Sequence, residues 1–480
     1  MGTNRLTEIW KYLAGENRIS CGKSGFRTYK LSQSDRSIHG LILGASGTGK
    51  SRLALHLATE SLRVGEGVGL VDPKGDLFQK YLCAIYKHLK NQKVVPAGKY
   101  VLFDPTSDYR LPGFNPLEVE EGEEPYPQAM ALMDVFEKIW SRFVGPRMLN
   151  ILRNTILTLM KNNLTLLEVE PFLTDPDMRE MLARNLDNEQ IKHFWLKRFP
   201  NIPEQERSIW VEPVLNKVSA FVTSPVIAEL VGQRHTTIDF RRILDKGKTL
   251  VINLPKSKLG PEVSYLLGAL LVAKINQAAI SRSNLPEEER NQYHIYVDEF
   301  QNYASPSFTE VLSEARGFAL SLHMITQDLE GVDERLRASI LANAKLLYSL
   351  RVSRSDAEIM ARHLFEATGQ DYKFVPDQDA WGKPKSNPSF ISIQEEREEK
   401  INELVNLRPR QVYMKVRGKG KPNLMRTITT PDYRIRQSKL EEFSDRIKRP
   451  YTRPRDEIRN EIARRRAQIE ERIEEAVIGR

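Results

Sequence analysis

The sequence has little cysteine: two residues in 480, Cys21 and Cys83. That excludes a disulfide framework and a cysteine-rich zinc site, and it fits a reducing compartment. No long hydrophobic run is present. The longest uncharged apolar stretch, Tyr265–Ala273, falls well short of the roughly 20 residues a membrane-spanning helix needs. The opening residues, Met1-Gly2-Thr3-Asn4-Arg5-Leu6, carry no signal-peptide hydrophobic region, and Leu6 stands where a myristoylation pattern wants Ser or Thr. There is no His-Glu-x-x-His, no Cys-x-x-Cys and no Leu-Ser-Gly-Gly-Gln, and the eight histidines are scattered. Gly44-Ala45-Ser46-Gly47-Thr48 fails the Gly-x-Ser-x-Gly elbow of serine hydrolases at its last position. No internal repeat is visible.

What is present is an ordinary globular mix, 40% apolar and 28% charged, too apolar for general disorder. At roughly 100–200 residues per domain, this length makes two to four domains. The net charge of +9 is localised. Residues 401–480 hold 21 Lys/Arg against 12 Asp/Glu, so the first 400 residues are balanced. A basic end region suits an acidic partner such as nucleic acid, or is simply a solvated surface.

Short, continuous apolar runs alternate with helical patterns. Ile38–Leu43, Gly67–Val71, Tyr100–Phe103, Thr249–Leu254 and His294–Val297 each end at a Gly, Asp or Pro turn, and Leu320–Thr326 and Leu346–Val352 follow. Buried parallel strands read this way. With helices at Arg52–Leu62, Pro261–Ile280 and Ser307–Gly317, the pattern predicts a doubly wound α/β domain. Residues 37–124 and 233–365 make up that domain, after an N-terminal segment 1–36. Between its halves, 125–232 is helical throughout, including the capping box Thr165-Leu166-Leu167-Glu168, and reads as an all-α insert. Residues 366–430 read as a long loop and a closing basic hairpin, and 431–480 as a charged helical tail.

Gly44-Ala45-Ser46-Gly47-Thr48-Gly49-Lys50-Ser51 matches the phosphate-loop pattern without a mismatch, between an apolar strand and a helix. The glycines let backbone N–H groups turn inward around phosphate oxygens. Lys50 is placed for the β- and γ-phosphates of ATP, and the Ser51 hydroxyl for Mg²⁺. Such a loop needs a carboxylate at a neighbouring strand end, and His294–Val297 is followed by Asp298 and Glu299. Asp298 is the candidate for the Mg²⁺ shell and Glu299 for the general base. Gln327, at the end of the next strand, is placed for the γ-phosphate or the attacking water. Asp72 and Lys74, in Asp72-Pro73-Lys74-Gly75-Asp76, are candidates for further phosphate or metal contacts, a plain turn being the alternative. His39 is read as a packed structural histidine.

These segments together resemble the HerA/FtsK superfamily of ring-forming DNA-pumping ATPases, and within it the TraG/TraD-type coupling proteins of conjugation and type IV secretion. The resemblance runs from Asp35-Arg36-Ser37-Ile38-His39 to about Asp356. It includes Phe103-Asp104-Pro105, Gly113-Phe114-Asn115-Pro116-Leu117, Asp298-Glu299-Phe300-Gln301-Asn302 and Leu312-Ser313-Glu314-Ala315-Arg316. It implies a RecA-like ATPase fold with an inserted all-α domain, ATP and Mg²⁺ as cofactors, DNA as partner and a homo-oligomeric, hexameric ring. In such rings a neighbour's arginine serves each site. Arg316 is the first candidate, with Arg351 and Arg354 in reserve. The chain lacks the N-terminal transmembrane helices of membrane-bound coupling proteins and the N-terminal β-barrel of HerA, so a cytoplasmic form is expected.

Three functions follow from these readings. The first is an ATP-driven DNA translocase, with a relaxase as partner. The second is a HerA-like ATPase serving a nuclease in end processing or phage defence. The third is a nucleotide-dependent scaffold, which has no need of Glu299. In the hairpin, Lys415, Arg417, Lys419, Lys421 and Arg426 are the candidate DNA contacts.

Overall fold

The computed structural model describes residues 18–90, 98–119, 124–140, 145–303, 308–366, 372–378, 384–390 and 392–478. They fall into two compact units, each assembled from separate chain segments. The first is Met1–Val68, Gln292–Gln301 and Leu312–Asp432; the second is Gly69–Asn291, Asn302–Val311 and Tyr433–Arg480.

The first unit is built on a mixed sheet. Its strands are β1 (Ile19–Ser24), β2 (Arg27–Leu31), β3 (Gly40–Leu43), β8 (Tyr293–Val297), β9 (Leu320–Thr326), β10 (Leu346–Ser349), β13 (Gln411–Val416) and β14 (Lys419–Arg426). Their order is β2-β1-β14-β13-β10-β3-β9-β8. Strands β10, β3, β9 and β8 are mutually parallel, and each is buried along its whole length, as their unbroken apolar runs predict. The remaining four are added antiparallel. The sheet therefore starts earlier in the chain than the sequence suggests: residues 19–31, read as a leading segment, are its β1–β2 hairpin. The helix Lys50–Val64 follows β3 and stops at Gly65 in the left-handed conformation. It is tied to β1, where the Ser20 hydroxyl donates to Glu60 at 2.8 Å.

In the same unit, 366–389 departs from the expected loop. Strands β11 (Tyr372–Gln378) and β12 (Pro384–Phe390) pair antiparallel. Pro376, Pro384 and Pro388 hid them, because proline within a run argues against a ladder strand.

The second unit holds β4 (Gly67–Asp72), β5 (Tyr100–Phe103) and β7 (Thr249–Asn253) in the order β4-β7-β5. From Pro125 to Val231 the described residues are helices and turns with no strand. The Thr165–Glu168 capping box forms, with the Glu168 carboxylate accepting from Thr165 N–H at 2.8 Å. The C-terminal residues are part of this unit. Thr452–Pro454 pairs with Arg110–Pro112, Arg455 and Arg459 both bind Glu229, and Arg465 is buried against Glu168. Among the described residues one helix, Pro261–Asn284, is long and apolar enough to cross a membrane, although its longest uncharged run is short. Its 18-residue window has mean hydropathy 1.5 and is 67% buried inside the fold.

Candidate functional site

The site forms in the first unit at the carboxyl ends of β3, β8, β9 and β10, where open α/β sheets bind ligands. The phosphate loop leaves β3 and is pinned on two sides. Gly44 N–H meets the Thr326 carbonyl at 3.4 Å, and Ala45 N–H donates to the Arg351 carbonyl at 2.7 Å. Gly47 and Gly49 adopt φ of +75° and +112°, conformations that side chains disfavour, which explains glycine at both. Gly49 leads directly into the helix, so the loop ends on that helix's N-terminal N–H groups. Lys50 is 7% exposed. Its ammonium donates to the carbonyls of Gly44 and Ala45, the latter at 3.0 Å.

The structure brings Asp298, Glu299 and Gln327 to this loop. Ser51 Oγ donates to Asp298 Oδ2 at 3.4 Å across 247 residues of sequence. Glu299 follows at φ +52°, a region few non-glycine residues enter. Its Oε1 accepts from Gln327 Nε2 at 2.6 Å and its Oε2 from Gln301 Nε2 at 2.7 Å. The result is a nearly buried carboxylate, 4% exposed, oriented by two neutral donors next to a phosphate-binding loop. Hard oxygen donors at Ser51 and Asp298 suit a magnesium ion. Among the described residues, no group of three or more His, Cys, Asp or Glu side chains is placed to hold a metal by itself.

Arg316 is not gathered into this site. It is exposed in the turn Ala315–Phe318, ahead of β9, whereas Gln327 follows β9. The seven residues of that strand put the two roughly 20 Å apart along the sheet. The expected helix stop at Gly317 is also displaced: the helix Phe308–Glu314 ends earlier, and the left-handed residue is Ala319 at φ +54°. Arg351 does reach the loop, through its backbone. Arg354 is exposed and pairs with Glu398 at 2.5 Å.

In the second unit, Asp72 is buried and caps its own turn, accepting from Lys74 N–H and Phe78 N–H, each at 2.8 Å. Burial pushes its carboxyl upward, while those backbone donors pull it down. His39 is packed, as expected. Its Nδ1 accepts from Leu322 N–H at 3.0 Å and its Nε2 donates to the Leu312 carbonyl at 2.9 Å. Burial lowers its pKa to about 4.

Two participants escaped the sequence reading. Gln301 lies within the quoted Asp298–Asn302 segment but carries no distinguishing pattern. Arg410 lies after a Pro in an unremarkable loop; its N–H donates to the Thr48 carbonyl at 3.0 Å. Of the hairpin cations, Lys415 is buried and pairs with the exposed Glu366 at 3.4 Å, Arg417 binds the Ala342 carbonyl and His363, and Lys419, itself exposed, pairs with Asp35 at 2.6 Å.

No family model matches the chain, and no curated protein sequence matches it. Solved structures do. The bacterial conjugative coupling protein TrwBdeltaN70 matches with a TM-score of 0.53 at 18% identity, over 84% of this chain and 88% of that one. TrwB with ADP and Mg²⁺ matches at 0.53 and 17% over the same shares, and TrwB with the ATP analogue ADPNP at 0.53 and 18%. VirB4 of Thermoanaerobacter pseudethanolicus matches at 0.54 and 14%, over 86% of this chain and 96% of that one. What is shared at these identities is the fold, a RecA-like P-loop ATPase architecture.

Proposed function

We propose that the chain is a magnesium-dependent ATP hydrolase of the conjugation and type IV secretion kind, a coupling ATPase that forms a ring and pumps DNA. The observation that carries this reading is the Ser51–Asp298 contact at 3.4 Å, which joins the phosphate loop to the strand-end carboxylate. The likeness to TrwB, solved with ADPNP and with ADP and Mg²⁺, supports ATP and Mg²⁺ as the ligands.

In this reading Lys50 turns its ammonium from the loop carbonyls to the β- and γ-phosphates. Ser51 and Asp298 would hold a magnesium ion, whose charge would offset that of the phosphates. Glu299 takes a proton from the attacking water, and Gln327 orients the carboxylate and that water. Asp72 and Lys74 keep a subsidiary part, Asp72 by fixing its turn. Residues 37–124 and 233–365 form the motor domain, 125–232 its insert, 366–430 and 431–480 its extensions. The working assembly is a cytoplasmic hexamer in which Arg316 acts on a neighbour's site, with a relaxase or a nuclease as protein partner.

The test is the rate of phosphate release with and without single- and double-stranded DNA, alongside sedimentation of the nucleotide-bound protein. Stimulation of turnover by DNA in a ring-sized particle is the expected result. An unchanged rate in a monomer would leave a nucleotide-binding scaffold instead.

A further inference from the structure

A cleft of about 370 Å³ opens in the second unit, within the helical stretch Pro125–Val231. Its volume falls in the usual range of small-molecule sites, about 300–1,000 Å³. One wall is a single face of the helix Pro146–Lys161. Asn150, Arg153, Asn154 and Leu157 lie three and four residues apart, so they stack along that helix. The opposite wall comes from the segment Asn188 to Arg198, and the exposed Tyr126 completes the lining.

Asn154 is the unusual member. It is 7% exposed, yet no described residue hydrogen-bonds its carboxamide; the Thr158 hydroxyl donates to its main-chain carbonyl instead. A buried amide is costly to leave unpaired, and this one lines the cleft. Its neighbours are engaged. Arg153 Nη2 donates to Asn150 Oδ1 at 2.9 Å. Asn188 Oδ1 accepts from the N–H groups of Gln190 and Ile191 at 3.0 and 3.2 Å. The facing wall is irregular as well. Phe199 N–H donates to the Phe194 carbonyl at 2.8 Å, five residues back, which makes Phe194–Arg198 a π-turn, a rare geometry frequent at functional sites. Trp195 anchors the turn, its indole N–H donating at 3.0 Å to the hydroxyl of Thr158, one helical turn beyond Asn154. The same turn sets Phe194 in the lining and carries the Arg198 guanidinium to 5.9 Å from its ring centre. Among the described lining residues none is acidic.

We propose that this cleft is a second nucleotide site, separate from the phosphate loop, which takes an adenine nucleotide by its base. A carboxamide sets a donor beside an acceptor, and the adenine edge with its N6 amine and N7 answers both at once. A carboxylate only accepts, so an acidic peptide would satisfy the Asn154 amine and leave its oxygen bare. Leu157 and Phe194 give a flat base an apolar wall, and Arg153 and Arg198 suit its phosphate. The same chemical unit has two sources, a free nucleotide and one unpaired residue of a nucleic-acid strand. The site shares no residue with the phosphate loop, so it stands whether or not the chain hydrolyses ATP.

The experiment irradiates the full-length protein with 8-azido-AMP and maps the label by mass spectrometry. Label within 146–161 or 188–198 is the expected result, and it needs no variant to fold. Label confined to other segments overturns the proposal. Asn154→Leu keeps the size of the side chain and removes the unpaired amide, so it should unfold no more easily than wild type. Its label in those two segments should fall about tenfold or more, the effect of losing one bidentate base contact. Undiminished labelling of the folded variant overturns the assignment. Competition, read on the same two segments of wild type, separates the sources. AMP that displaces the label as well as an oligodeoxyadenylate does supports the proposal with a free nucleotide as ligand. An oligodeoxyadenylate about tenfold more effective than both AMP and an oligothymidylate supports it with a strand as ligand. Displacement by a glutamate-rich peptide and by neither adenine probe puts an acidic peptide in the cleft, and the proposal falls.

Discussion

Gln327 Nε2 donates to Glu299 Oε1 at 2.6 Å, so the ends of two neighbouring strands meet on one carboxylate. Gln301 holds the other oxygen of that group at 2.7 Å. The backbone of Glu299 sits at φ +52°, a conformation that costs on the order of 1–3 kcal/mol and persists where the surroundings impose it. A strand that simply ended would have no reason to keep an acidic residue there. A water-activating carboxylate has one, since its direction decides which proton it takes.

Replacing Glu299 by Gln should therefore keep nucleotide affinity and reduce turnover by about 10²–10⁴-fold, the usual contribution of a positioned base. Lys50→Ala should instead lose nucleotide affinity, because the ammonium offsets phosphate charge. Equilibrium binding and phosphate release on both variants separate the two roles. Near-normal turnover in Glu299→Gln would sink the assignment of Glu299 as base.

Arg316 precedes β9 and Gln327 follows it, so the arginine is roughly 20 Å of strand away from its own phosphate loop. It can act only on another subunit's nucleotide, or nowhere. Arg316→Ala should bind ATP normally and hydrolyse it at least tenfold more slowly, since such arginines stabilise transition-state charge. Mixing Arg316→Ala with Lys50→Ala should restore part of the rate at hybrid boundaries. Normal turnover in Arg316→Ala, or no recovery on mixing, removes it from the site.

The parts of this site legible in the sequence are those whose chemistry fixes local spacing. A phosphate loop needs its glycines, lysine and serine in one order, and a strand end announces Asp298, Glu299 and Gln327 by the apolar run before each. Gln301 and Arg410 could not be found that way, because a glutamine in a polar segment and an arginine in a loop are ordinary. Their roles come from contacts at 2.7 Å to Glu299 and 3.0 Å to Thr48. The parallel strands were visible as buried runs. The β1–β2 hairpin was not, since its burial is uneven: Ile19 and Leu31 are buried, and Phe26 is fully exposed. Arg465 looked like one more charge on a solvated helix, because its partner Glu168 lies 297 residues away.

Lys415, Arg417 and Lys419 have protein partners, Lys419 at an exposed position, and Lys421 and Arg426 are exposed. If the hairpin touches DNA, Lys421 and Arg426 release counterions without first breaking the pairs that hold the other three. Replacing both with Ala should lower the slope of log affinity against log salt by about 1.5, at 0.7–0.9 per phosphate contact. The hairpin has no part in DNA binding if the slope is unchanged.

Acid should destabilise the first unit through its buried neutral histidines. His39 is lowered to about 4 by burial and His323 to about 3 by the same cause, and His294 is also depressed by burial. Unfolded histidine titrates near 6.5, so between 6.5 and about 4 the unfolded chain binds a proton that native His39 refuses. Stability must fall as pH falls through that window. His39→Gln should flatten the dependence of the unfolding midpoint on pH by close to one proton. Equal slopes for the two proteins would mean that His39 is protonated in the native state.

The buried pair in the C-terminal helix decides whether the tail is structural. Arg465 and Glu168 are each 2% exposed. Arg465 Nε meets Glu168 Oε1 at 3.0 Å, and Arg465 Nη1 also donates to the Gly232 carbonyl at 2.7 Å. Glu168 Oε2 is engaged in the Thr165 capping box. Arg465→Met removes a charge and leaves a carboxylate in the interior, which should cost about 3–5 kcal/mol. Arg465→Met with Glu168→Gln removes both charges, keeps an oxygen for the Thr165 N–H, and should recover most of the loss. Denaturant unfolding of the full chain, followed by fluorescence, measures both variants. A single variant within about 0.5 kcal/mol of wild type, the range of ordinary surface changes, would mean that the helix lies on the surface in solution. A double variant no better than the single would place the cost in lost packing of the arginine stem rather than in the stranded charge.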